Sequence, residues 1–91
     1  MTALDEERCR ALVEKLCSGL GWEVKPVSGI PYALFTHEDR WCAFGGTWKE
    51  LYENFCESAY GFAYTYVDIP KWARRCSSPE ELALKIEAAL P

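Results

Sequence analysis

The chain has 91 residues, with 14 acidic and 10 basic side chains and a formal net charge of −4. This length makes one domain, spanning 1–91, and a composition of 49% hydrophobic and 26% charged residues is wrong for a disordered chain. The negative balance argues against general binding of phosphate backbones, which needs a positive field.

Residues 4–20 are predicted to form a helix. Cys9, Leu12, Val13, Leu16 and Leu20 share one face, Asp5, Glu6 and Glu7 suit the positive end of the helix dipole, and Gly19 and Gly21 supply the stop. "WEVKPV" follows as a strand, with Trp22, Val24 and Pro26 on one side, and its proline points to an edge or to the strand's end. "SGIP" is a turn, and "YALFTHEDRWCAFGG" reads as a hairpin with Asp39 and Arg40 at its tip. An even-numbered loop there sets His37 across from Cys42 and Phe35 across from Phe44.

"TWKELYENFCESAY" carries the strongest helix signal, because Thr47 and Glu50 have the spacing of a capping box. Trp48, Leu51, Tyr52, Phe55 and Ala59 line one face, and Glu50, Glu53 and Glu57 lie on the opposite, solvent-facing side. Gly61 breaks this helix and "FAYTYV" alternates as a strand. "DIPKWARRC" reads as a short helix with Asp68 as N-cap and Pro70 in the first turn. In "SSPEELALKIEAAL", Ser78 caps a final helix whose inner face is Leu82, Ile86, Ala89 and Leu90, with Glu81 and Lys85 paired outside. The fold class is therefore α+β: a small, mostly antiparallel sheet of three to four strands covered by helices, in the order α-β-β-β-α-β-α-α.

Several residue sets are candidates for function. Phe62, Tyr64 and Tyr66 alternate on one strand face, which is the pattern of a base-stacking platform, but no glycine-and-basic signature accompanies them and the preceding helix is acidic. They are read as core, with tyrosine hydroxyls at the rim. Between Glu50 and Asp68 there are four acids and no Lys or Arg, so the acidic helix face is read as a surface for a protein partner with a basic groove. Tyr60, Tyr64, Asp68 and Trp72 complete the expected partner-binding set with Glu50, Glu53 and Glu57. Lys71, Arg74 and Arg75 sit near the end of a short helix, where the dipole favours positive charge, and Gly45-Gly46-Thr47 precedes a helix N-terminus in the manner of an anion site.

The five cysteines, Cys9, Cys17, Cys42, Cys56 and Cys76, show no paired spacing and no C-x2-C motif. They are read as free structural thiols of a cytoplasmic chain, with neither signal peptide nor membrane span, no metal and no cofactor. His37 beside Cys42 is the residue pair from which a thiol enzyme or a zinc site would start, but no third, orienting group is visible. No catalytic residue is assigned.

The hairpin followed by "GGTWKELYENF" resembles the hairpin-then-helix start of HicB-like antitoxins over about a third of the chain, and the terminal helices depart from that pattern. In composition the chain is similar to phage anti-CRISPR proteins and to bacterial immunity proteins. The expected function is a non-enzymatic inhibitor, monomer or homodimer, that binds a protein and occludes its surface without binding nucleic acid directly. The alternatives are an antidote to a toxin, and a thiol or zinc protein.

Overall fold

The first helix, α1 (Glu6–Leu20), begins at Asp5, whose carboxylate accepts the amide of Arg8 at 2.8 Å. The computed structural model describes residues 4–37, 40–61, 69–74 and 76–91, with the backbone alone for 37 and 58–61. At the other end Gly21 has φ 73°, and Gly21 and Trp22 both donate their amides to the Cys17 carbonyl. Gly19 was expected to help stop the helix. It lies inside α1 instead, and a β-carbon there would meet the Leu90 side chain at 2.7 Å, so its smallness serves packing rather than termination.

Three strands follow, β1 (Glu23–Val27), β2 (Ile30–His37) and β3 (Arg40–Gly45), in an antiparallel sheet of order β1-β2-β3. Ser28 and Gly29 join β1 to β2 with positive φ at both positions, the geometry of a type I′ turn whose twist matches that of a hairpin. The register slips between Lys25 and Val27, so Pro26, which has no amide to donate, sits at an irregularity of an edge strand.

The β2–β3 hairpin differs from expectation. His37 pairs with Arg40, which leaves residues 38–39 between the strands, and Phe35 lies opposite Trp41 rather than Phe44. Leu34 faces Ala43 while the next residue of β2 faces Trp41, so Cys42 is an extra residue in β3. A compensating shift follows between Phe35 and His37. The bulge explains how the consecutive residues Cys42 and Ala43 both join the core, where regular alternation would send them to opposite faces.

Gly45 ends β3 against the next helix, α2 (Trp48–Gly61). A β-carbon on Gly45 would stand 2.6 Å from the Leu51 amide nitrogen, so only glycine allows this approach of strand to helix. The amides of the first turn of α2 all have acceptors. Trp48 and Lys49 each donate to the Glu6 carboxylate at 2.8 Å, Glu50 donates to Thr47 Oγ1 at 3.0 Å, and Leu51 to the Thr47 carbonyl at 2.9 Å. The Glu50 carboxylate accepts from the Gly46 amide, one residue before the cap.

A 3₁₀ turn, Lys71–Ala73, with Pro70 rather than Asp68 at its cap, replaces the expected short helix. The predicted strand "FAYTYV" and Asp68 lie outside the described residues. The last helix, α3 (Pro79–Ala89), is capped by Ser78, and here too the glutamate of the box, Glu81, accepts from the residue before the cap, Ser77. The Glu81–Lys85 pair forms at 3.8 Å. Leu82, Ile86 and Leu90 are buried as expected, whereas Ala89 is exposed and Ala83 is buried beside Leu82.

These elements make an α+β domain. α2 lies against β3 and β2, and α1 and α3 pack behind it. Leu12, Leu16, Leu34, Leu51, Phe55, Leu82 and Ile86 form the centre of the core, with Trp22 edge-on to Phe55 at 5.8 Å. The Tyr52 hydroxyl, fully buried, donates to the Pro79 carbonyl at 2.7 Å and so ties α2 to the start of α3. Trp48, expected in the core, is half-buried at its edge, stacked on Tyr32 at 4.5 Å with the Arg10 guanidinium 5.5 Å from its ring.

Because Glu6 satisfies two amides of another helix, Glu6→Ala is expected to lower stability by about 1–2 kcal/mol, the range of a lost helix cap. Glu7→Ala, one position along, is expected to cost less. Urea denaturation of both variants checks this, and equal effects would mean that the contact adds nothing beyond helix-dipole charge.

Candidate functional site

The outer face of α2 is where the acidic stripe lies. Glu50, Glu53 and Glu57 are exposed, and Leu51, Tyr52 and Phe55 on the opposite side are fully buried. The three carboxylates are not equivalent. Glu50 is held by the Gly46 amide at 3.0 Å, whereas neither Glu53 nor Glu57 pairs with a lysine or arginine among the described residues. Lys49, four residues before Glu53 on the same helix, forms no ion pair with it, and its backbone amide donates to Glu6.

The remaining members of the expected partner-binding set are less concentrated. Tyr60 lies in the last turn of α2, where the backbone alone is described, and Tyr64 and Asp68 lie outside the described residues. Trp72 is half-buried and packs against the core from the 3₁₀ turn, so part of its ring serves stability.

Two candidate anion sites have internal occupants. The amides that follow Gly45-Gly46-Thr47 bind the Glu6 carboxylate, which fills the place a ligand's anion would take. In the basic cluster, Arg74 Nε donates to the Ile69 carbonyl at 2.8 Å and closes the segment on itself, and Arg75 lies outside the described residues. Lys71 is exposed.

The pairing of His37 with Cys42 does not occur in the hairpin register, which sets His37 opposite Arg40. Among the described residues no three His, Cys, Asp or Glu side chains converge on a metal-binding arrangement. Cys9, Cys42, Cys56 and Cys76 are buried and Cys17 is half-buried, all as free thiols. Burial raises the thiols of Cys9 and Cys17 to about 11 and that of Cys56 to about 12, and raises Cys76 as well. Glu53 adds to the effect at Cys9. Such thiols stay protonated near neutral pH, where a nucleophile needs the thiolate.

A surface that the sequence reading missed lies on the sheet face turned away from α2. Val27, Ile30, Ala33, Trp41 and Phe44 enclose an open apolar groove of about 180 Å³. Trp41 is 48% and Phe44 40% exposed, and their rings meet edge to face at 5.0 Å. Three residues apart, they would point to opposite faces of a regular strand, and the extra residue at Cys42 brings them to one face. No hydropathy pattern signals this, because alternation counted through a bulge gives the wrong side.

The thiols predict an alkaline transition. Their folded-state values lie above the ordinary 9.0, so the stabilisation they give is full below about pH 9 and is lost as pH rises through 11 to 12. Urea midpoints measured from pH 7 to 11 should fall beyond pH 9. Cys56→Ala, whatever its effect at neutral pH, should flatten that fall by the contribution of one proton; an unchanged slope would mean that the Cys56 thiol titrates normally.

Among the described residues, no helix is long and apolar enough to cross a membrane. Comparison with protein-family models, with curated proteins and with solved structures finds no match to this chain.

Proposed function

We propose that this protein is a non-enzymatic binding protein that inhibits a protein partner by occupying its surface, with the acidic outer face of α2 as the contact. The observation that carries this reading is the state of Glu53 and Glu57: exposed, on a rigid helix whose other face is locked in the core, and without a cation of their own among the described residues. A merely solvated helix gains from mixing signs at i,i+4 spacing; Lys49 stands four residues before Glu53 without forming an ion pair with it, and after Lys49 the helix carries no Lys or Arg. Carboxylates held in a row complement a cationic groove, and grooves of that kind commonly hold nucleic acid. The partner class proposed is therefore a nucleic-acid-handling protein or complex, inhibited in the manner of an anti-CRISPR protein.

The burial of the thiols favours this reading over a thiol enzyme, which needs an accessible thiolate. The net charge of −4 favours a protein partner over nucleic acid itself.

The Glu53→Lys/Glu57→Lys double variant should change stability by about 0.5 kcal/mol or less per site, as exposed helix charges do. The same variant should lose a partner that the wild type retains from lysate at low salt, chiefly through a slower on-rate. The wild-type contact should itself weaken as salt rises toward about 0.5 M. The captured partner's own nucleic acid should compete with the protein for it. Retention that neither the charge reversal nor salt affects would overturn the assignment of α2 as the contact.

A further inference from the structure

We propose that the groove between Trp41 and Phe44 is an apolar anchor site for a short cationic segment of a partner protein, which seats one leucine- or phenylalanine-sized side chain there while its lysines or arginines lie against the acidic face of α2. The inference rests on the reading of α2 as a contact surface and adds a second, chemically different subsite to it.

The groove offers about 180 Å³ among five residues, room for one large apolar side chain. A second copy of this chain would bring its own net charge of −4 against the acidic face, so the segment that carries that side chain belongs to a cationic partner. Its walls come from Val27, Ile30, Ala33, Trp41 and Phe44, so the group it receives is apolar. The two aromatic walls are partly exposed, in the way residues that anchor a partner are before binding.

What specifies the rest of the occupant is the neighbouring charge. Asn54 Nδ2 donates to the carbonyl of Phe44 at 2.6 Å, so α2 reaches the backbone of the strand that forms the groove. Glu50 and Glu57 fall one turn to either side of Asn54 along the helix, which runs the acidic row beside β3. On the groove's own face Lys25 is engaged, 3.7 Å from Glu23 and 4.6 Å from the centre of the Phe35 ring, and adds no net demand for an acidic ligand. A segment that follows both features has one large apolar residue with cationic residues around it.

The test uses the full chain and three synthetic peptides, followed by the amide spectrum of the 15N-labelled protein. The first is Lys-Ser-Lys-Phe-Lys-Ser-Lys, the second has Ser for Phe, and the third has Glu for every Lys. The first peptide is expected to shift the amides of Ile30, Ala33 and Phe44 together with those of α2. The second should bind roughly tenfold more weakly, as loss of a central aromatic anchor does. The third should bind more weakly still. Phe44→Ser, whose fold the same spectrum checks, and Trp41→Ser as an independent variant, should abolish the difference between the first two peptides. Equal binding of those two peptides to the wild type, with shifts confined to α2, would overturn the anchor and leave the acidic face standing. Equal binding of the first and third peptides at the groove would overturn the cationic occupant together with the charge reading of α2. No shift with any peptide would overturn both.

Discussion

The carboxylate of Glu6, bound to the first two amides of α2, is the contact on which the arrangement of this domain turns. A helix N-terminus leaves amides without intrahelical acceptors, and the local cap, Thr47, serves Glu50 through its side chain and Leu51 through its carbonyl. The amides of Trp48 and Lys49 take a residue 42 and 43 positions away in sequence. The negative first turn of α1 thus meets the positive end of α2, and both helix starts are fixed relative to one another. With α2 set at its start by Glu6 and held against β3 by the glycine at 45, the direction of its outer face follows. The exposure of Glu53 and Glu57 depends on that direction.

A second constraint acts on the sheet. The core side of β3 must close over α2, and the bulge at Cys42 lets Cys42 and Ala43 both turn toward the interior. The displaced alternation returns Trp41 and Phe44 together to the far side, where each shields part of the other. One irregularity therefore both completes the core and creates the apolar groove. The two consequences are inseparable: restoring a regular ladder would bury one of the two aromatics, expose one of the two small residues, and erase the groove.

The parts of this structure that were legible in the sequence are those governed by neighbours in the chain. The caps at Thr47 and Ser78, the Gly21 stop, the turn at Ser28-Gly29 and the buried faces of α1 and α2 follow from spacing over four residues or fewer. The α+β class followed from the order of those signals. What escaped depends on contacts between distant segments. Glu6 reads as an ordinary first-turn acid until α2 is placed beside it, and Gly19 reads as a breaker until Leu90 packs over it. The hairpin register was misread by two positions, because the loop was centred on Asp39 and Arg40 whereas the ladder closes one residue earlier, with His37 opposite Arg40. The acidic face of the candidate site was legible from the helical wheel, and the aromatic groove was not, because alternation counted through the bulge gives the wrong side.

The difference between Glu50 and its two neighbours sets where recognition can reside. Glu50 accepts the Gly46 amide, and Glu81 stands in the same relation to Ser77 at the start of α3. In both, the carboxylate accepts an amide from outside the helix, which is a structural use of the group. By that parallel Glu50 belongs to the cap of α2 as much as to its surface, and a cation that drew it away would weaken the helix start. Glu53 and Glu57 carry no such duty. They can be neutralised by a partner at the cost of desolvation alone, so a ligand that distinguishes among the three should lean toward the middle of α2 and away from its capped end.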